Sequence, residues 1–380
     1  MKVKKLASIY ILVDNLNVGG IQRLSMDESY WLKVKDFESS ILVLGESSQE
    51  TTIIDIDGNY FNMNKINIIY LGKSKATQFS NLIKTFRKSS KNTVVVSHSA
   101  GGTPLIFLSR IFTLKKIKVF LWIHQAITLS ERAQAHKRVF YSLFAKKLFF
   151  GARHFQEEWF DFVKSSIWKY FYFKRGHFDR IGVFLPRVIW SGHEQVHFCK
   201  NSLLISHIIF ASRMSSWKGY EKFREICSNL IGEKIHSIVM RIGPKENHFS
   251  IPEDNDFEHS ALNISPSMIY TNRSEVHFYP TNYGEKVRYP QSIGLNVLEF
   301  LALGVPSLIS QESFLTFPEL QDSPLIYVVD WESLSDVKIA FEKAKSLEAK
   351  DRMKEAKQLS TAVSIERHMN RIVEEFARDI

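Results

Sequence analysis

The feature that most constrains the fold is a repeated alternation of short apolar segments with helical segments. In the first half, the apolar runs Leu6–Val13, Ile41–Leu44 and Ile68–Leu71 indicate strands. A helix is expected from about Gln22 to Lys35 after the first of them, and another at Asn81–Lys88 before the strand Val94–Ser97. A second series begins with the strand Leu203–Ala211 and the helix Tyr220–Leu230. Strands that alternate with helices form parallel, doubly wound sheets. The sequence therefore predicts an α/β protein whose ligands bind beyond the carboxyl ends of the strands.

Chain length and polar segments set the expected domain boundaries. The 380 residues are enough for two domains with full cores. We expect residues 1–190 to form a first Rossmann-like domain, residues 191–201 a linker and residues 202–362 a second Rossmann-like domain. Residues 363–380 indicate a charged amphipathic helix with four apolar residues on one side: Met369, Ile372, Val373 and Phe376.

Charge and the absence of targeting signals limit the function classes. The net charge is +10, which suits a protein that meets anions, whether nucleic acid, an acidic membrane surface or a phosphorylated substrate. The apolar run Ile9–Val13 is too short for a signal peptide, and the sequence has no apolar run of about 18 residues, so we expect a cytoplasmic protein. Its two cysteines, Cys199 and Cys227, show no metal-ligand spacing, so no structural zinc is expected.

The segment Gly294–Leu303 predicts a helix that is apolar on nearly every side and carries Glu299 in its middle. A buried carboxylate needs hydrogen-bond donors. The two adjacent hydroxyls of a ribose supply such donors, and so do groups of the protein itself, so both interpretations stay open. Residues 292–295 would form the N-terminus of this helix, where free backbone N–H groups favour an anion such as a diphosphate.

Two loops carry further candidate binding residues. Arg213 and Lys218 stand on one loop after a predicted strand, where two cations suit a diphosphate. An ordinary exposed basic pair is the alternative. Gly19 and Gly20 follow the first strand and would let backbone amides approach a ligand closely, although Gly-Gly after a strand is more often a simple turn.

Two histidines, His98 and His124, each follow an apolar strand directly. Both are therefore expected at the carboxyl edge of the first sheet. A neutral imidazole can donate one hydrogen bond to a sugar hydroxyl and accept another. A loop histidine without a ligand is the alternative for each.

The run from Gln291 to Glu299, QSIGLNVLE, followed by ALGVP at 302–306, resembles the donor-site signature of retaining glycosyltransferases, especially the large family 4. This resemblance implies the GT-B architecture, in which two Rossmann-like domains face a central cleft. The second glutamate of the family pattern falls on Glu299. The first falls on Gln291, which is a departure, and Ser292 replaces a glycine.

The resemblance also implies roles for individual residues. Glu299 would hold the nucleotide ribose, while His124 and Gln291 would contact the donor sugar. The leaving diphosphate would be neutralised by Arg213 and Lys218. The remaining implied donor contacts are the backbone amides of the helix N-terminus and of the first glycine loop: Ile293, Gly294, Leu295, Gly19 and Gly20. In this architecture the C-terminal helix commonly returns to the first domain.

These features predict a retaining glycosyltransferase that uses a UDP- or GDP-sugar as substrate and needs neither a metal ion nor a cofactor. The acceptor is expected to be a glycan or a lipid-linked molecule of bacterial cell-surface polysaccharide synthesis, such as lipopolysaccharide or capsule. Segment 137–176 is aromatic and basic, which is typical either of contact with an anionic membrane or of a helix facing the sheet. Two other hypotheses are a catalytically impaired GT-B protein that binds nucleotide or a partner, and a basic membrane- or nucleic-acid-binding protein. No nucleic-acid motif is recognised, so no nucleic acid is expected as a partner.

Overall fold

The chain forms two compact units in the computed structural model. The first unit comprises Met1–Val188 with Ile365–Ile380, and the second comprises Ile189–Ser364. The structure describes residues 7–16, 20–45, 66–124, 127, 132–174, 181–184, 206–211, 218–232, 237–242, 257–260, 276–281, 293–302, 304–315, 317, 320, 322–362 and 365–379. The expected linker, 191–201, lies outside them. None of the helices in these ranges combines the length and apolar composition that crossing a bilayer requires.

A parallel sheet forms the middle of the first unit. The described part of the chain contributes the strands β1 (Ala7–Val13), β2 (Ser39–Val43), β3 (Ile68–Tyr70), β4 (Asn92–Ser97), β5 (Lys116–Ile123), β6 (Lys147–Phe150) and β7 (Ile181–Phe184). Their order is β3-β2-β1-β4-β5-β6-β7, and neighbours pair in parallel. The chain order reverses between β1 and β4, where Leu12 lies beside Ser97. Such a switch point opens a crevice at the carboxyl ends of both strands.

Helices between the strands pack on this sheet. They are α1 (Gly20–Val34), α2 (Lys75–Lys88), α3 (Thr103–Thr113), α4 (Arg132–Ser142), α5 (Arg153–Ser165) and α6 (Trp168–Lys174). Helix α2 begins at a Ser74 cap, whose hydroxyl oxygen accepts a hydrogen bond from the Thr77 backbone N–H at 3.0 Å. Leu82 and Phe86 of α2 are fully buried, and the Phe86 ring meets Tyr10 of β1 edge-on at 5.6 Å.

The second unit contains another parallel sheet. Its described strands are β8 (Ser206–Ala211), β9 (Ser237–Ile242), β10 (Phe257–Ser260), β11 (Val276–Tyr279), β12 (Ser307–Ile309) and β13 (Ile326–Val328). They lie in the order β10-β9-β8-β11-β12-β13, again with parallel neighbours. The chain order reverses between β8 and β11, so this sheet has its own switch point. The two doubly wound sheets predicted from the sequence are confirmed.

The described helices of the second unit are α7 (Tyr220–Gly232), α8 (Leu295–Ala302), α9 (Gln311–Leu315), α10 (Leu334–Ser346) and α11 (Ala349–Ala362). Helix α8 matches the apolar helix expected at 294–303 and begins one residue later. Two residues beyond its end, Gly304 has a φ of +77°, the left-handed conformation that favours glycine. The N–H of Val305 donates to the carbonyl of Phe300 at 2.9 Å, which closes the last turn.

The basic and aromatic segment Lys137–Phe150 is helical only in its first part. Its first part belongs to α4, and its last four residues form the strand β6. Leu148 lies beside Leu121 of β5 in parallel register, and the N–H of Lys146 donates to the carbonyl of Val119 at 2.7 Å. Backbone pairing with β5 therefore overrides the helical spacing of the apolar residues.

The C-terminal helix α12 (Ile365–Asp379) belongs to the first unit. Its buried residues Ile365, Met369, Ile372 and Phe376 follow the spacing of one helix face. The Phe376 ring lies 4.9 Å from the Phe120 ring of β5. Lys147 of β6 forms an ion pair with Glu375. The last residues of the chain thus help to complete the core of the first unit.

The packing of α12 can be tested by replacing Phe376. Phe376 is fully buried, so Phe376→Ala should lower the free energy of unfolding by about 3–5 kcal/mol through lost burial and the cavity it leaves. Chemical denaturation measures the change. Arg371→Ala, an exposed position on the same helix, should change stability by no more than about 0.5 kcal/mol. Equal effects of the two substitutions would contradict the docking of α12.

Candidate functional site

Each unit carries a group of candidate residues at the carboxyl edge of its sheet. Three of the residues singled out in the sequence, Gly19, Arg213 and Gln291, lie outside the described residues, and their roles stay predictions. Gly20 is the first residue of α1, and Leu295 is the first residue of α8.

In the second unit, Tyr279 brings two of the predicted donor-site residues together. Tyr279 is the last residue of β11 and is buried. The ammonium nitrogen of Lys218 lies 5.9 Å from the centre of its ring. A β-carbon built on Gly294 would lie 3.1 Å from its hydroxyl oxygen. A cation and the N-terminus of α8 therefore meet at the end of one strand, beside the switch point of the sheet.

The loop that holds Lys218 is fixed against the end of β11. Gly219 has a φ of +73°, and a β-carbon there would lie 2.4 Å from the carbonyl oxygen of Pro280, so no other residue fits without a shift of the backbone. The Thr281 hydroxyl donates to the Lys218 carbonyl at 3.5 Å. The carbonyl of Thr281 in turn accepts hydrogen bonds from the hydroxyls of Ser310 and Ser313, each at 2.9 Å. These contacts position Lys218 before any ligand arrives.

Helix α8 is held by an apolar environment. Ile293, just before the helix, is fully buried, and so is Phe300 within it. The ring of Phe300 lies 4.5 Å from that of His277 on β11. Burial lowers the pKa of His277 to about 3, so this imidazole is neutral at physiological pH. Glu299 precedes Phe300 in the middle of α8, and its predicted hydrogen bonds to a ribose stay a prediction.

This arrangement in the second unit suits a diphosphate. The first N–H groups of a helix have no partners within the helix, and the helix dipole favours negative charge there. Lys218 adds a positive charge at the same strand end. The site therefore offers an anion both backbone donors and an ammonium group.

In the first unit, the two histidines noted in the sequence are direct neighbours. His98 follows β4 and His124 follows β5, and these strands are adjacent and parallel. Nδ1 of His98 lies 2.8 Å from Nε2 of His124. His98 is buried, whereas His124 is half-buried. His124 is thus the more exposed member of the pair.

A buried carboxylate that the sequence did not single out supports this pair. Oε2 of Glu28, on α1, lies 2.9 Å from Nε2 of His98. Its other oxygen, Oε1, lies 3.0 Å from Nε2 of His368 on α12. The side chain of Glu28 is 1% exposed, and those of both histidines are 0% exposed. The four residues Glu28, His98, His124 and His368 are called the Glu28 cluster below.

Trp122 of β5 provides the apolar wall of the Glu28 cluster. Its ring is stacked on those of His98, His124 and His368, with centroid distances of 5.9, 5.4 and 5.5 Å. Stacked rings of this kind exclude water and strengthen the hydrogen bonds beside them. Nearby, the hydroxyl of Ser99 donates to Oδ1 of Asp14 at 2.6 Å and ties the ends of β4 and β1 together.

When His98 and His124 are both neutral, the Glu28 cluster has a defined proton order. An ionised Glu28 accepts hydrogen bonds only, so His98 donates from Nε2 and His368 donates from Nε2. A neutral His98 then has an unprotonated Nδ1, which accepts a hydrogen bond from Nε2–H of His124. The unprotonated nitrogen of His124 is consequently Nδ1. A carboxylate on α1 thereby sets the tautomer of a histidine at the carboxyl edge of the sheet.

The electrostatics of Glu28 agree with an ionised carboxylate. Burial alone would raise the pKa of its carboxyl group. The interactions of the carboxylate with His98 and His368 outweigh burial and lower the pKa of Glu28 to about 2. The group is therefore ionised throughout the physiological range.

The acid response of the protein should reveal this pKa. Because the pKa of Glu28 in the folded protein lies below its ordinary value of 4.5, the ionised carboxylate stabilises the fold above about pH 4.5, and this stabilisation is lost as the pH falls towards 2. The Glu28→Gln variant should therefore lose less stability than the wild type between pH 5 and pH 3, by about 2 kcal/mol. Thermal melting across this range measures it. The exposed Glu374→Gln on α12 is the control, and an unchanged acid response in Glu28→Gln would contradict the assignment.

Comparisons with known proteins identify the fold. No protein-family model matches the chain, and no curated protein matches it in sequence. Solved structures do match over its length. HepE from Anabaena, solved with UDP, is 8% identical with a TM-score of 0.69, covering 98% of this chain and 100% of HepE. The lipopolysaccharide outer core galactosyltransferase WaaB is 9% identical with a TM-score of 0.63, covering 99% and 100%. A glycosyltransferase from Rickettsia africae is 13% identical with a TM-score of 0.69, covering 98% of each chain.

The chain thus has the GT-B fold that the residues around Glu299 led us to expect. Sequence reasoning placed Lys218, Gly294 and His124 at strand or helix ends, and the structure finds them there. It missed Glu28 and His368. The local sequence of α1 does not mark Glu28, which stands between Asp27 and Ser29, and its partners lie 70 and 340 residues away.

Proposed function

We propose that the protein is a glycosyltransferase that moves a sugar from a nucleotide-sugar to an acceptor with retention of anomeric configuration. The observation that carries this proposal is the meeting of Lys218 and the N-terminus of α8 at Tyr279, on a GT-B fold. Donors with UDP or GDP fit such a site. The solved complexes of HepE with UDP and with UDP-glucose support a uridine nucleotide as the first candidate.

The proposed chemistry follows the movement of charge. As the glycosidic bond to the diphosphate breaks, negative charge grows on the leaving group and the sugar becomes oxocarbenium-like. Lys218 and Arg213 would stabilise the leaving diphosphate together with backbone amides near Gly294 and Leu295. Glu299 would bind the ribose. We propose that these groups suffice without a metal ion or cofactor, because they supply the positive charge that the diphosphate needs.

His124 would orient the donor sugar, with Gln291 as a neutral partner for sugar hydroxyls. The support for His124 is its place at the carboxyl edge of the sheet, where it lies 2.8 Å from His98, which is held in turn by Glu28. In this proposal Glu28 and His98 are positioning residues. They do not touch the donor, and they act by fixing the orientation and tautomer of His124.

For the acceptor we propose a glycan or a lipid-linked molecule of bacterial cell-surface polysaccharide synthesis. The fold similarity to WaaB, an enzyme of the lipopolysaccharide outer core, supports this class. A cytoplasmic protein at the inner face of the membrane would meet such acceptors.

A second candidate function is nucleotide binding without turnover. It is motivated by Gln291, which stands where the resembling family has a glutamate. The two functions share the donor site and differ in the transfer of the sugar. Release of the nucleoside diphosphate from a nucleotide-sugar in the presence of an acceptor would establish the transferase, and its loss in His124→Ala with nucleotide binding retained would support the proposed role of His124.

The donor site itself is tested by thermal shift with UDP, GDP and their sugar conjugates. A ligand that binds only the folded protein stabilises it by about 2.7 kcal/mol at 100 times its Kd. One nucleotide class should raise the melting temperature. Lys218→Ala should weaken its binding about 10- to 100-fold through loss of a charge-assisted contact, and Glu299→Ala should weaken it as well.

The matched control for these variants is Lys343→Ala, which removes an exposed lysine from α10. It should leave the thermal shift unchanged. If no nucleotide stabilises the wild type, or if Lys218→Ala and Glu299→Ala respond like Lys343→Ala, the proposed donor site is wrong.

A further inference from the structure

The first unit has a charge pattern that the donor chemistry does not use. Residues 58–130 contain no Asp or Glu, although forty such residues occur among the 380, and they contain eleven Lys and Arg residues. Lys84, Arg87 and Lys88 on α2 and Arg110 on α3 are exposed. This run of the chain, which includes α2 and α3, therefore carries positive charge without the carboxylates that usually neutralise it.

The same region exposes large apolar side chains. On α3 and just after it, Leu108, Ile111, Phe112 and Leu114 are 44%, 54%, 60% and 93% exposed. Leu114 has a φ of +53°, a left-handed conformation that is unfavourable for leucine, yet its side chain is left in solvent. A leucine in this position gains nothing from the core of its own unit.

A second exposed apolar group lies on α4, on α6 and directly before α6. Its members are Phe140 at 43%, Ile167 at 66%, Tyr170 at 63% and Phe171 at 47% exposure. Exposed lysines lie among them: Lys137 is one turn before Phe140, and Lys169 has its ammonium nitrogen 5.1 Å from the centre of the Tyr170 ring.

Contacts between aromatic rings join these two groups into one surface. Phe107 of α3 lies 5.0 Å from Phe144, and Phe144 lies 5.3 Å from Phe140. Phe140 lies 6.1 Å from Trp168, which lies 5.7 Å from Phe171. The eight exposed residues of the two groups are called the α3–α6 surface: Leu108, Ile111, Phe112, Leu114, Phe140, Ile167, Tyr170 and Phe171. Contiguous exposed apolar residues on this scale mark an interaction surface.

We propose that the α3–α6 surface docks on the anionic face of a lipid bilayer. Exposed apolar side chains enter the boundary between headgroups and acyl chains, while the surrounding lysines and arginines meet acidic headgroups. A nucleic acid would use the same cations, but Leu108, Ile111, Leu114 and Ile167 are aliphatic and offer bases no ring to stack on. The proposal is independent of the donor site, because no residue of the second unit contributes to it. It extends the membrane hypothesis for segment 137–176 to α3, which that segment does not contain.

Vesicle flotation tests the proposal with the full chain. Vesicles of phosphatidylcholine alone are compared with vesicles that also contain phosphatidylglycerol. The wild type should float with the anionic vesicles, and it should stay in the bottom fraction when the vesicles are neutral. The triple variant Ile111→Ser/Leu114→Ser/Ile167→Ser, which changes only exposed residues, should bind the anionic vesicles at least about 10-fold more weakly because it loses three apolar contacts.

The matched control is Ile339→Ser on α10, which removes an isoleucine with 55% exposure from the second unit. It should float like the wild type, and melting curves should show all variants folded. Three results would overturn the proposal: no binding of the wild type to anionic vesicles, equal binding by the triple variant, or an equal loss in Ile339→Ser. Binding to RNA that the triple substitution abolishes, without vesicle binding, would instead identify a nucleic-acid surface. Loss of nucleotide binding has no bearing on these outcomes.

Discussion

The hydrogen bonds of one buried carboxylate, Glu28, connect three distant parts of the first unit. Its two oxygens accept from His98 at the end of β4 and from His368 on the C-terminal helix α12. A buried charge left without these donors would cost several kcal/mol or be neutralised by a proton. Displacing the end of β4 or α12 would therefore take a donor away from the buried charge on α1. The end of the chain is in this way part of the environment of a residue near its beginning.

In the proposed function, the same hydrogen bonds position His124. When both rings are neutral, Glu28 holds the proton of His98 on Nε2, and His98 holds the proton of His124 on Nε2. The unprotonated nitrogen of the half-buried His124 imidazole is then Nδ1. The second unit offers different chemistry, with Lys218 and the start of α8 at the end of β11. Under the proposed function, the second unit would hold the diphosphate through positive charge, and the first would orient the sugar through a neutral histidine.

Much of the fold could be predicted because it depends on local patterns. Alternating strands and helices specify both parallel sheets, and the stripe through Met369, Ile372 and Phe376 specifies α12. Strand ends placed His98 and His124 at one edge, since adjacent parallel strands end on the same side. Helical spacing of apolar residues continues through Lys147–Phe150, but pairing with β5 makes these residues a strand, and a local pattern does not show such pairing. It also could not reveal the Glu28 cluster, because a carboxylate on α1 and a histidine 340 residues later show no shared spacing.

The proposed role of His124 depends on the proton order in the Glu28 cluster. Nuclear magnetic resonance of the histidine rings measures this order directly. Long-range proton–nitrogen correlation spectra at pH 8 distinguish the two neutral tautomers, and His98→Asn and His124→Asn variants assign the signals among the thirteen histidines. We predict that His98 and His124 both carry their proton on Nε2. A His124 ring protonated on Nδ1, or a His98 ring that no longer donates from Nε2, would contradict it.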